Sequence, residues 1–301
     1  MKTRVVYIAG QSYSGSTFFC ALLGIHPQME PVSELSMWTK RGLEPGRLCA
    51  CGSLSKDCKF WSDVRGHWLD GSDHTTLDKY TAMQDKIETI SYAWPQMLKA
   101  RPSASVEFEE YARLTTSLYR SIAVISGRPA VVDSSKKPAR AIAVSNMDGL
   151  EVAIIHLVRN GLSYVNSNIR RMKLSPAQPG YLYNVFRLGL RWSVANYAAE
   201  RAMLVNTSGG IRVRYEDLLS NPVGALESVG EMLKIDMQCV QDHVVSGRPV
   251  SYRHMESGSR HRRFGPATLR IDHGSPPNLD RRIRFAFYLG AGMLSRRYGY
   301  L

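Results

Sequence analysis

A short β-branched run, Val5-Val6-Tyr7-Ile8-Ala9, ends on Gly10, and Gly15-Ser16-Thr17 then opens a segment with Phe18, Phe19, Leu22 and Leu23 at helical spacing. The unbroken apolar run suits a strand covered on both faces, and the later periodicity suits a helix that His26-Pro27 stops. The chain is therefore expected to pass from a central strand through a glycine loop into a helix. In that context Gly10-Gln11-Ser12-Tyr13-Ser14-Gly15-Ser16-Thr17 has the G-x-x-x-x-G-x-[ST] spacing of a phosphate-binding loop. Backbone N–H groups of such a loop and the positive end of the helix converge on one place and make an anion site. A plain Gly-Ser turn carries the same residues, so the rest of the chain has to decide between them.

Three further segments read as buried strands: Ala130-Val131-Val132 closed by Asp133-Ser134-Ser135, then Val152-Ala153-Ile154-Ile155-His156-Leu157-Val158, then Ile211-Arg212-Val213-Arg214-Tyr215. Segments 137–146 and 162–171 can be helical, and Asn221-Pro222 opens another helix through Leu233. Strands alternating with helices predict an α/β fold, a single P-loop-type domain over 1–301 with a central, mostly parallel sheet flanked by helices. Residues 40–128 break the alternation. Leu77, Tyr80, Ile87, Ile90 and Trp94 share one helical face, as do Phe108, Tyr111, Leu114, Leu118, Ile122 and Ile125, which predicts a helical insertion. It is expected over the carboxyl edge of the sheet, where open α/β sheets hold ligands, and would there select substrate; the plainer reading is that it covers core.

The lysine that an NTPase sets on the β- and γ-phosphates is replaced by Ser16. A kinase without it loses much of its transition-state charge stabilisation, so an ATP-dependent kinase ranks low and the anion should have another shape. Tyr13-Ser14-Gly15-Ser16-Thr17, followed by Leu22-Leu23-Gly24-Ile25-His26-Pro27 and Ser33-Glu34-Leu35, resembles the 5′-phosphosulfate loop of sulfotransferases that use 3′-phosphoadenosine-5′-phosphosulfate (PAPS). Ile155-His156-Leu157-Val158-Arg159-Asn160-Gly161, with Ser167 two helical turns after Arg159, resembles the 3′-phosphate site of the same family. A guanidinium there gives bidentate phosphate contact and a serine hydroxyl can meet the same oxygens. Val132-Asp133-Ser134-Ser135-Lys136-Lys137-Pro138 resembles the family segment that carries a lysine near the sulfonate, Arg214-Tyr215-Glu216-Asp217-Leu218 the segment whose tyrosine lies near the adenine, and His254-Met255-Glu256-Ser257-Gly258-Ser259-Arg260 the late loop that closes over the nucleotide. Cys49-Ala50-Cys51-Gly52 and Cys58-Lys59-Phe60-Trp61 are similar to a stretch in bacterial and carbohydrate-type members.

The resemblance implies PAPS as co-substrate and in-line transfer of its sulfonate group to a hydroxyl of a carbohydrate, lipid or small metabolite. Donor binding would fall to Ser12, Tyr13, Ser14, Gly15, Ser16, Thr17, Arg159, Ser167, Tyr215 and Arg260. Glu34 is the implied base, at the place where the tyrosyl-protein branch has its glutamate, with Glu30 as the alternative and His26 as a rival that reads better as a helix stop. Many members carry a cation where this chain has Tyr13, so charge developing on the leaving phosphate falls to Lys136, with Lys137 and Arg140 behind it. The Tyr13 substitution also keeps a catalytically impaired nucleotide- or polyanion-binding protein in play.

Zinc needs four ligands, and Cys49, Cys51 and Cys58 would need His67 or a distant residue as the fourth. Structural thiols without metal are therefore expected, and sulfonyl transfer needs none. The net charge is +13, and residues 248–301 hold eleven arginines against Glu256, Asp272 and Asp280. Those arginines fit an anionic nucleotide; with Phe285, Phe287, Tyr288, Leu289 and Leu294 beside Arg281-Arg282-Arg284 they also fit peripheral membrane contact. Nucleic acid is not expected, since no zinc-finger, RNP or helix-turn-helix signature accompanies the charge. The amino-terminal residues lack a signal-peptide pattern, and five cysteines are too few and too sparse for a disulfide scaffold, so a cytoplasmic location is expected.

Overall fold

The structure, a computed structural model, describes residues 2–69, 74–98, 105–206, 208–258, 265–269 and 277–301. Five parallel strands, β1 (Thr3–Gly10), β2 (Met29–Ser33), β3 (Ala130–Lys136), β4 (Leu150–Val158) and β5 (Gly210–Arg214), form one sheet in the order β2-β3-β1-β4-β5. The four apolar runs are β1, β3, β4 and β5. Sequence reasoning missed β2, whose Glu30 and Pro31 do not read as a buried strand. Its edge position tolerates a proline, which cannot donate to a ladder on both sides.

Side chains alternate across β1. Val5, Tyr7 and Ala9 join the core on one face, and Val6 and Ile8 join the core on the other. The second face is covered by α1 (Ser16–Leu23), α11 (Pro222–Leu233) and α12 (Gln238–Val245), with α10 (Tyr215–Ser220) leading into them. On the first face lie α2 (Leu35–Arg41), α3 (Lys59–Leu69), α4 (His74–Ile87), α5 (Ile90–Leu98) and α6 (Val106–Ser126), all between β2 and β3, together with α7 (Pro138–Ser145) and α9 (Tyr181–Val205). A third cluster joins α8 (Gly161–Met172), α9 and α13 (Arg281–Arg297) around Trp192 and Phe287.

Helices α2 to α6 follow one another between β2 and β3 and share the core on the first face of the sheet. The first apolar stripe of this insertion is two helices, because α4 ends at Ile87 and the Thr89 hydroxyl, in the gap, accepts from the Tyr92 N–H at the start of α5 (3.3 Å). Tyr80 and Ile87 stay buried while Ile90 and Trp94, beyond the break, are exposed. A buried polar network ties this insertion to the sheet. Arg140 on α7 pairs with Asp133 on β3 (3.2 Å) and with Glu88 at the α4 terminus; Tyr111 donates to Glu88 (2.8 Å) and Tyr119 to Asp133 (2.6 Å). Burial alone would raise the Glu88 carboxyl, but the Arg140 and Lys137 charges outweigh it and hold it below the usual carboxylate range.

His156, on β4, is enclosed between the sheet and α9. Its Nδ1 accepts from Arg212 Nε (3.4 Å), so Nε2 carries the proton and donates to Asn196 (3.1 Å), and the ring is neutral. Burial, opposed by the Asn196 bond and aided by the Arg212 charge, pushes its pKa down to about 4. The unfolded chain takes up a proton near pH 6.5 that the folded chain refuses, so this contribution is complete above that pH and lost as pH falls toward 4. We expect roughly 2 kcal/mol less stability at pH 5 than at pH 7 from this group alone. Urea titrations of the wild type and of His156→Gln at both pH values check it: the variant should show the shallower pH slope, and equal slopes would refute the assignment.

Candidate active site

The carboxyl ends of β1, β2, β3 and β4 gather the residues singled out in the sequence. The loop after β1 turns on two glycines. Gly10 lies so close to β4 that a Cβ there would stand 2.4 Å from the Leu157 carbonyl oxygen, and Gly15, at φ +86°, would drive a Cβ to 2.2 Å from the Tyr215 ring. Gly15 is also the N-cap of α1 and offers no side-chain acceptor, so the first N–H groups of that helix have no cap from it. Ser14, Ser16 and Thr17 are buried around this terminus, and the Ser14 hydroxyl has no protein partner. Ser12 and Tyr13 form the exposed rim. An unpartnered buried hydroxyl beside an uncapped helix start is suited to an anion.

Arg159 leaves the end of β4 and reaches back to this loop, donating from Nη1 to the Tyr13 carbonyl at 3.1 Å. Its guanidinium lies over the Tyr215 ring, 4.8 Å from the centroid, at the start of α10. Burial raises the Tyr215 pKa, with the Arg159 charge working against it, and the ring stays neutral under Arg159. Two groups to which sequence reasoning gave no role fix the turn. Trp192 of α9 donates its indole N–H to the Arg159 carbonyl (3.1 Å), and Glu216 accepts from the Asn160 N–H (2.9 Å) while Asn160 caps α8. Ser167, on α8, donates to the Ser163 carbonyl within its own helix (2.9 Å).

The rim has a cation after all. Arg171, on α8, stands over the Tyr13 ring at 6.0 Å from its centroid, and Tyr164 of the same helix accepts from Gln11 (2.9 Å). Sequence separation hid this, since α8 lies beyond β4. Arg260 falls outside the described residues. The loop that precedes it is in place: the Ser257 carbonyl accepts from Ser33 (2.7 Å), and Gly258 lies so close to Thr17 and Ser33 that a Cβ would meet both hydroxyls within 2.8 Å.

Glu34, the N-cap residue of α2, and Lys136, the last residue of β3 at φ +67°, form an ion pair at the ends of neighbouring strands. Both are largely enclosed, at 19% and 15% side-chain exposure, so the pair is reachable yet partly shielded from water. The residues held behind them serve other ends. Lys137 pairs with Glu88 (3.0 Å), and Arg140 is sealed in the network under the sheet. Glu30 is buried on β2 between Arg128 and Arg253, and His26 is spent on the Asp236 carbonyl and the Gln28 N–H.

Cys49, Cys51 and Cys58 do converge, and the fourth group beside them is the distant His254. His67 is elsewhere, bonded to Ser121 (2.9 Å). On α13, Phe285 and Leu289 are exposed beside Arg281 and Arg282, whereas Phe287 belongs to the core against Trp192. Among the described residues no helix is long and apolar enough to cross a membrane.

A sequence profile described as "Sulfotransferase family" matches residues 6–238. Among solved structures, the sulfotransferase domain from the curacin biosynthetic pathway shares 13% identity with this chain, with 100% of this chain and 99% of that chain covered and a TM-score of 0.50. The sulfotransferase domain from the Synechococcus PCC 7002 olefin synthase shares 17% identity over 96% of this chain and 94% of that chain, at a TM-score of 0.47. No curated protein matches. The first of these likenesses agrees with the fold described above.

Proposed function

Since the chain belongs to the sulfotransferase family, we propose that its sulfonate donor is PAPS and its acceptor a hydroxyl on a carbohydrate, lipid or small metabolite. One observation carries the donor assignment. Arg159 and the glycine loop, 146 residues apart, meet through the bond to the Tyr13 carbonyl, so the two segments that resemble the donor site form one surface.

In this reading the α1 terminus with Ser14, Ser16 and Thr17 holds the 5′-phosphate, and Arg159 with Ser167 holds the 3′-phosphate. Tyr215 lies beneath Arg159 and beside Gly15, next to both loops, which is where the family resemblance puts the adenine. Glu34 takes the acceptor proton as the acceptor oxygen forms its bond to sulfur. The bond from sulfur to the bridging phosphate oxygen breaks, and its electron pair stays on that oxygen. Lys136 faces the sulfonate and the developing charge, and Arg171 adds positive charge at the rim beside Tyr13. The ion pair opens when substrate arrives, giving Glu34 to the hydroxyl and Lys136 to the sulfonate.

Calorimetric titration with 3′-phosphoadenosine-5′-phosphate, beside ATP and AMP and without added metal, tests the donor site. The bisphosphate should bind with clear preference, and Arg159→Ala should weaken it by ~2–4 kcal/mol, the scale for truncating a desolvated charge contact. Equal binding of the three nucleotides, or wild-type affinity in the variant, would overturn the assignment.

A further inference from the structure

Cys49 and Cys51 sit on a tight turn in which the Cys49 N–H donates to the Ser53 carbonyl (2.9 Å) and the Gly52 N–H to the Cys49 carbonyl (3.1 Å), with Gly52 at φ +95°. Cys58 precedes α3 and points at the same spot. His254 arrives from the far end of the chain, in the segment that runs on to Ser257 and Gly258. All four ligand atoms lie within 4.8 Å of one another; Cys51 Sγ is 3.6 Å from Cys58 Sγ, and His254 Nδ1 is 3.5 Å from Cys58 Sγ. Tetrahedral zinc, with bonds of about 2.3 Å to sulfur and 2.0–2.1 Å to nitrogen, needs edges of roughly 3.8 Å and 3.5 Å.

The imidazole is held in this orientation by groups that do not need the thiols. Phe60 stacks on it (4.8 Å between centroids, 13° between planes), and the His254 carbonyl accepts from the Trp61 indole (2.6 Å). Cys49 and Cys58 are buried while Cys51 is exposed, which leaves an entry path for an ion. Plain packing of thiols gives no reason for a ring nitrogen to be aimed into their midst.

We infer that Cys49, Cys51, Cys58 and His254 bind one zinc ion in a closed Cys₃His site whose role is to fasten the late loop over the anion site. Three thiolates and an imidazole in tetrahedral array suit zinc over harder divalent ions, and a full set of four protein ligands leaves no open position for catalysis. The ion would join the 49–58 turn to residue 254, and the adjoining Ser257 and Gly258 lean on Ser33 and Thr17. Arg47 reinforces the same seam through Glu256 and Ser257, and the Ala50 N–H donates to the Met255 carbonyl (3.1 Å). The zinc site and its melting readout stand independently of which donor or acceptor the enzyme uses, and only the nucleotide readout rests on the proposed donor.

The test is metal content of the full chain, purified with zinc present and thiols kept reduced, by plasma mass spectrometry. About one zinc per chain is expected. Cobalt(II) exchanged into the site should give the intense visible bands of a tetrahedral ion and a near-ultraviolet thiolate charge-transfer band sized for three thiolates, a readout on wild-type protein that survives if the variants fold poorly. Cys51→Ser and His254→Asn should each lose the stoichiometric ion, Cys239→Ser should keep it, and chelation should lower both the melting temperature and the affinity for 3′-phosphoadenosine-5′-phosphate. No stoichiometric zinc and no cobalt thiolate band in reduced protein would overturn the site, as would full zinc content in both ligand variants, or a Cys51–Cys58 disulfide that persists under reduction. If chelation strips the ion and leaves melting and nucleotide affinity unchanged, the fastening role fails.

Discussion

Lys136→Ala should lower sulfonate transfer by ~10²–10³-fold while changing the affinity for 3′-phosphoadenosine-5′-phosphate only a few-fold, because in the proposed mechanism the lysine faces the developing charge and does not grip the nucleotide. Glu34→Gln should also cut turnover, and the double variant should lose far less than the product of the two single losses, since each partner already disables the other. Rates with isotopically labelled donor, on any acceptor the wild type sulfonates, give the first quantity and calorimetry gives the second. Wild-type turnover in Lys136→Ala would move electrostatic stabilisation to Arg159 or Arg171. A matched fall in turnover and affinity would make Lys136 a binding group instead.

The second large effect is on stability. Arg140 is fully enclosed with Asp133 and Glu88, and three tyrosines close the network around it. Arg140→Met should therefore destabilise the fold by about 3–5 kcal/mol, because Asp133 is left buried without a counter-charge and Glu88 keeps only the half-exposed Lys137. Adding Glu88→Gln and Asp133→Asn should restore part of that loss, since the uncompensated charges are then gone. Urea midpoints of the three proteins decide the matter. A loss under about 1 kcal/mol in Arg140→Met would mean that water reaches the network.

The parts of this chain that sequence reasoning reached are those where one local pattern has one structural meaning. Four apolar runs became four strands, and the glycine loop, Arg159, Glu34 and Lys136 stand at one end of the sheet because strand ends are where such residues must come together in a parallel fold. The strand at Met29–Ser33 escaped because edge strands need neither an apolar run nor freedom from proline. Lys137 and Arg140 look alike in sequence to Lys136, yet one turn of backbone sends them to Glu88 and into the core. Trp192, Arg171 and His254 act on residues far away in the chain, and no spacing within their own segments announces it.

All five strands are present in the chain once Arg214 has been made, but the segment from His254 to Gly258 that leans on the first loop is made only later. A nascent chain can thus pair all five strands before it owns the piece that seats Ser33 and Thr17. Joining Ser33 to Ser257 spans a sequence separation of 224 residues, which places that step late on entropic grounds. The order of synthesis itself therefore leaves the first loop without this support until residues 254–258 have emerged.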